Sequence, residues 1–224
     1  TLLSLHVSAQ VTTTASTNAQ QLAQSLVGPG VVVSNASLSG SFATGTTGFF
    51  TATNSNLGID SGIVLSTSYV SSIPGAPAGI QSDATCGTCN DADLLALAQI
   101  FSTGTTTMND AVTLEFDIFS IADTLKFNYV FASDEYPTFN CSNYNDVFGF
   151  FISGPGINGP YSGNSMNIAL IPGTTTPVGI NTINDGTGLS GNCQANSQYY
   201  VTNTAPTNTH IYNGFTTVLT ATVV

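Results

Sequence analysis

The sequence predicts an all-β domain of β-sandwich or jelly-roll-like form, covered by one or two short helices. Three observations carry this. Short runs of apolar–polar alternation recur along the chain. Gly, Pro, Asn and Ser punctuate them closely. No strand–helix alternation of the parallel-sheet type is present. At 224 residues the chain is long enough for one large sandwich whose core needs no metal or disulfide to fold.

Thr1 to Thr14 reads in two ways. Leu2, Leu3 and Leu5 before Val7-Ser8-Ala9 resemble the end of a secretory signal with a small-x-small cleavage site. Yet Leu3, Leu5, Val7, Ala9 and Val11 alternate with Ser4, His6, Ser8, Gln10 and Thr12, the period of a half-buried strand. The alternation favours a strand, so residues 1–14 are expected to form an N-terminal arm and residues 15–224 the sandwich. Ser16 or Thr17 is placed to cap a short helix carrying Leu22, Leu26 and Val27, which Gly28-Pro29-Gly30 ends. A second helix is expected over Asp93 to Ala98, capped by Asp91 or Asp93.

The remaining elements read as strands. Val112, Leu114, Phe116 and Ile118 alternate with polar neighbours, as do Leu125, Phe127, Tyr129 and Phe131; the turn Ser120 to Asp123 between them predicts a hairpin. Val147 to Ile152 is apolar on both faces and is expected at the centre of a sheet. Further strands are expected at Val31 to Leu38, Ile63 to Ser66, Asn167 to Ile171, Gln198 to Val201 and Phe215 to Val224.

Composition limits the partners. Only 6% of residues are charged, and twelve acidic residues face one base, Lys126, for a formal net charge of −11. Neutralising phosphates takes Lys and Arg, so nucleic acid is excluded, and an anionic membrane surface fails for the same reason. No run of about 20 apolar residues exists to cross a bilayer. Cations, neutral glycans and protein surfaces remain. Four cysteines in so Lys-poor a chain fit an oxidising compartment.

Several motifs in order resemble the choice-of-anchor L domain of secreted Bacteroidota surface proteins. They begin at Ser55 to Ser66 and run through Asp91-Ala92-Asp93-Leu94 and Asp110-Ala111-Val112. They peak at Tyr129-Val130-Phe131-Ala132-Ser133-Asp134-Glu135-Tyr136-Pro137 and at Asn145 to Gly156, then continue in Asn167 to Gly173 and Gly214 to Ala221. The resemblance covers roughly residues 20–224. It implies an exported cell-surface module, usually followed by an anchoring tail, and brings no catalytic residues to carry over. It also implies a further closing strand beyond Phe215 to Val224, where this sequence stops.

Two acidic clusters are candidate Ca²⁺ sites, because that ion takes six to eight oxygen ligands and relieves the repulsion of crowded carboxylates. One is Asp134, Glu135 and Asp146 with Asn143 and Asn145; the other is Asp91 and Asp93 with Asn90. The bland alternative is solvated loop carboxylates and a helix cap. A glycosidase pair drawn from Asp134, Glu135 and Asp146 is the weakest reading, since no spacing fixes their separation.

Cys86-Gly87-Thr88-Cys89 has redox-motif spacing without the strand–helix setting of a thioredoxin site. Disulfides Cys86–Cys89 and Cys141–Cys193 are the expected pairing; the other two connectivities remain open, and a four-cysteine zinc site would lack a second close pair. His6 and His210 stand at polar positions of alternating runs and are expected at the surface. Tyr136, Tyr144, Tyr161, Tyr199 and Tyr200 are candidates to stack on sugars, with packing as their alternative use. Asp123-Thr124-Leu125 resembles an O-glycosylation acceptor.

The expected function is a non-enzymatic extracellular module of structural or adhesive type that contacts other proteins. Leu3, Leu5, Val7, Ala9 and Val11 would form its assembly strand, and Phe215, Thr217, Leu219, Ala221 and Val223 the acceptor edge, by β-augmentation between like subunits. A Ca²⁺-dependent glycan-binding module is the rival.

Overall fold

The computed structural model describes residues 11–40, 45–77, 86–102, 104–188, 195–204 and 209–224. In chain order these hold β1 (Thr12–Ala15), α1 (Ala19–Ser25), β2 (Val31–Gly40), β3 (Thr47–Thr51), β4 (Ser61–Leu65), α2 (Ala92–Phe101), β5 (Val112–Ser120) and β6 (Leu125–Tyr129). There follow β7 (Ala132–Ser133), β8 (Val147–Phe148), β9 (Phe151–Ile152), β10 (Met166–Asn167), β11 (Val178–Gly179), β12 (Tyr200–Thr202), β13 (Gly214–Thr216) and β14 (Leu219–Val223). The chain is all-β as its alternation predicts, and every strand pairing described is antiparallel.

Both helices start at side-chain caps. The Asn18 carboxamide oxygen accepts from the Gln21 N–H at 3.0 Å, so α1 begins just beyond the expected Ser16 or Thr17; Ser16 Oγ instead accepts from the Asn18 N–H. Asp91 caps α2 as expected, accepting from the Asp93 and Leu94 N–H groups at 2.9 Å each. α1 covers β2 and β5, and its Leu22 and Ala23 are buried, as is Val33 of β2.

Strand partners differ from the sequence expectation in three places. β5 and β6 do not form a hairpin: β5 pairs with β2 around a bulge between Ser34 and Ser37, and β6 pairs with β14. A strand with one apolar face accepts any antiparallel neighbour that continues the face, and β2 matches β5 at eight positions, Val31↔Ser120 to Gly40↔Val112. Val147 to Ile152 is not one central strand. It breaks at Gly149-Phe150, where a Cβ on Gly149 would fall 2.5 Å from the Phe151 ring and the Phe150 N–H turns to Asn167 Oδ1. Phe215 to Val224 likewise divides at Thr217-Val218: β13 lies between β12 and β7, whereas β14 pairs with β6.

Two apolar clusters form the core. One gathers Val11, Ala52, Val70 and Ile73 with Phe50, Leu57, Val64 and Tyr212 around it. The other joins Ile171, Val178, Ile183 and Leu219 with Tyr129, Phe131, Tyr199 and Tyr200. Val11, expected on a strand reaching another subunit, is therefore in the core of its own domain. Thr12 to Ala15 continue it by pairing with Gly48 to Thr51 of β3. Leu3, Leu5, Val7 and Ala9 lie outside the described residues, as does His6.

His210 corrects the expectation of a surface histidine: it is 2% exposed, within hydrogen-bond distance of Asn203 through Nδ1 and edge-on to Phe215. Its alternation signalled a strand position, but the face opposite was taken by Asn203 and Phe215. Burial lowers its pKa from 6.5 to about 4. The unfolded chain then takes up the proton first, so this contribution to stability is intact above pH 6.5 and lost as pH falls through 4. His210→Gln should lessen the loss of unfolding free energy between about pH 7.5 and 4.5 by roughly 2–3 kcal/mol relative to wild type, measured by urea titration. Equal losses in both proteins would refute it.

Candidate functional site

The acidic residues Asp134, Glu135 and Asp146 meet because two short strands end beside each other. Ser133 closes β7, and Asp146 enters β8. The Ser133 hydroxyl donates to Asp146 Oδ2 at 2.8 Å, and Ser133 Oγ accepts from the Glu135 N–H at 3.0 Å. Asn213, at the entry to β13, donates its amide to the Asp134 carbonyl at 2.5 Å. The Asp146 carbonyl accepts from the Ile180 N–H, tying the group to the loop after β11. Ser133 belongs to the Tyr129 to Pro137 motif but is not among the expected ligands, and nothing local in the sequence marks Asn213.

Lys126 is the only Lys or Arg in the chain. Burial, then the charges of Asp146 and Asp134, push the Glu135 carboxyl up to about 8. Asp146 keeps solvent access, yet is enclosed closely enough that desolvation raises its pKa; the Ser133 bond acts against this and Asp134 adds to it. Glu135 Oε2 is buried without a hydrogen-bond partner among the described residues. The arrangement favours any positive charge that joins it, a proton first of all.

The other expected ligands are occupied. Asp91 caps α2 and also accepts from the Thr113 hydroxyl; Asp93 accepts from the Ser162 N–H and hydroxyl. Asn145 is buried, donating to the Ala98 carbonyl and accepting from the Asn181 N–H. All three make hydrogen bonds within the fold. Among the described residues no group of three or more His, Cys, Asp or Glu is placed to hold a metal ion.

The tyrosines separate in the same way. Tyr136 is fully buried with its hydroxyl on the Ile183 carbonyl, Tyr199 and Tyr200 pack against the second core cluster, and Tyr161 stacks edge-on to Phe151. Tyr144 is 62% exposed, with its ring edge-on to Phe139 at 5.4 Å. Cys86 and Cys89 are joined to each other, and Cys141 is disulfide-bonded; Cys193 lies outside the described residues. The Cys86–Cys89 loop is held on the start of β5 by the Asp110 carboxylate at the Cys86 N–H and by the Ala111 N–H at the Cys89 carbonyl. Thr124 is exposed in the connection from β5 to β6.

Of the expected acceptor edge, Phe215 is enclosed in a three-stranded sheet and Thr217 lies between strands, so neither borders an open groove. Leu219, Ala221 and Val223 lie on β14, whose single partner among the described residues is β6.

The fold defines an all-β module of antiparallel strand pairs. The family model for the choice-of-anchor L domain matches residues 10–224, so the chain is a member of that family of surface-associated modules. No curated protein and no solved structure matches it.

The raised Glu135 pKa carries a pH signature. The folded state keeps a proton that the unfolded chain releases at 4.5, so stability is fully present below pH 4.5 and lost as pH rises through about 8. Glu135→Gln removes that loss. Relative to wild type it should gain roughly 2–4 °C in Tm at about pH 8.5 compared with about pH 4, after allowance for partial solvent exposure. A pH-independent difference in Tm between the two proteins would contradict it.

Proposed function

We propose that this domain is a non-enzymatic structural or adhesive module that works outside the cell through protein–protein contact, receiving a strand from another chain along β14. The observation that carries the reading is the edge of β14. Leu219 and Ala221 are buried while Thr220 and Thr222 are exposed, and among the described residues β6 is the single strand paired with β14. An unpaired strand edge presents N–H and C=O groups that a further strand satisfies, with alternate side chains meeting the existing core. The alternating Leu3, Leu5, Val7 and Ala9 supply a suitable donor. A like subunit is the acceptor of this strand in the proposed assembly. Sedimentation velocity should show concentration-dependent oligomers for wild type and monomers for Leu5→Asp/Val7→Asp, with unchanged far-UV circular dichroism. A wild type that stays monomeric at every concentration ends this reading.

A second reading rests on the buried Glu135 Oε2, which has no hydrogen-bond partner among the described residues, and on the carboxylates beside it: Ca²⁺ draws Asp134, Glu135 and Asp146 together and takes the place of the Glu135 proton. A ligand bound to the native state alone stabilises it by mass action. Tm at about pH 8 should rise in millimolar Ca²⁺ over chelator, and the rise should vanish in Glu135→Gln. Equal melting of wild type under both conditions would exclude Ca²⁺. Glycan binding has less support, with Tyr144 the most exposed tyrosine of the set and its ring already edge-on to Phe139.

A further inference from the structure

We propose that the tip of the β2–β5 ribbon is a docking point for a partner protein presenting an apolar pocket rimmed by Lys or Arg. Val32 and Phe119 are direct cross-strand partners, exposed by 61% and 70%. Ile121, exposed by 81%, follows β5 and lies over Gly30, where an added Cβ would meet its side chain at 3.4 Å. The three side chains therefore share one end of the ribbon. Alternation calls for polar residues on this face, because the opposite face carries the buried Val33 beneath α1. The rest of the outer face obeys, with Ser34↔Asp117 next in register and Ser37↔Glu115 beyond the bulge, all exposed. Scattered exposed apolar residues are ordinary, but three large ones grouped on a face patterned for solvent mark an interaction site.

Charge decides the occupant. Asp117 and Glu115 continue the same face, and Asp123 follows Ile121 in an exposed turn. A second copy would bring the same acidic row against this one with a single base, Lys126, to offset it, and like-charge juxtaposition is unfavourable. An anionic membrane is repelled for the same reason, and a sugar finds no hydrogen-bonding side chain among Val32, Phe119 and Ile121. A protein with an apolar pocket and a basic rim matches both halves of the surface. This face is separate from the β14 edge, so either can fail without the other.

The test uses two synthetic amphipathic helical peptides, one with Leu flanked by Lys and one with Leu flanked by Glu, titrated against the full chain by fluorescence anisotropy. The Leu/Lys peptide should bind and the Leu/Glu peptide should not. Val32→Thr/Phe119→Thr/Ile121→Thr should weaken Leu/Lys binding about tenfold or more, while Ile100→Thr/Phe101→Thr, altering exposed apolar residues on α2, should leave it unchanged. Phe119→Thr alone, with wild-type Tm, should show part of the loss. Three results overturn the proposal: equal binding by wild type and the triple variant, equal binding of both peptides, or self-association of wild type that the triple variant abolishes.

Discussion

Short strands leave backbone groups that buried asparagines must satisfy. Between Ala132 and Gly179 no strand exceeds two residues, yet much of this region is interior. Buried N–H and C=O groups need partners, and here side-chain amides supply them. The Asn181 amide donates to the Ser142 and Tyr144 carbonyls and to Ser102 Oγ, and its oxygen accepts from the Cys141 N–H. Asn167 accepts from the Phe150 and Ala169 N–H groups. Asn184 links the Ile180 carbonyl to the Gly186 N–H, and Asn203 reaches the His210 and Tyr212 carbonyls. A carboxamide does this without bringing a charge into low dielectric, which would cost far more.

The same economy of charge shapes the acidic site. Lys126 is the only Lys or Arg in the chain. Where Glu135 and Asp146 come together, burial and the neighbouring carboxylates raise the pKa of both. Asp91 instead caps α2, and Asp93 accepts from Ser162. Identical residue types thus take different roles according to the donors around them.

Elements whose signal is local were legible in the sequence. The Asp91 cap, the apolar face of α1 and the alternation of β2, β5 and β6 all rest on spacing within a few residues. Partnership was not legible, because alternation states which face is buried and not which strand lies alongside. β5 found β2, some eighty residues away, rather than the adjacent β6. The break at Gly149 depends on the Phe151 ring and on Asn167, both set by folding. His210 was misread because Asn203 and Phe215 enclose it from neighbouring strands. At the acidic site Asp134, Glu135 and Asp146 stood out by type, while Asn145 could be separated from them only once its bonds to Ala98 and Asn181 were visible.

The asparagines also bear on how the protein ages. Asn followed by Gly is prone to deamidation, in which the glycine nitrogen attacks the side-chain carbon to close a succinimide ring. At Asn213-Gly214 the amide is engaged with the Asp134 carbonyl, and Gly214 is paired on both sides, opposite Thr202 and Ser133. At Asn158-Gly159 the glycine N–H is bonded to the Asn164 carbonyl. Ring closure at either place has to break a native hydrogen bond first. The two Asn-Gly pairs are thereby slower to deamidate than the same dipeptides in an unfolded chain.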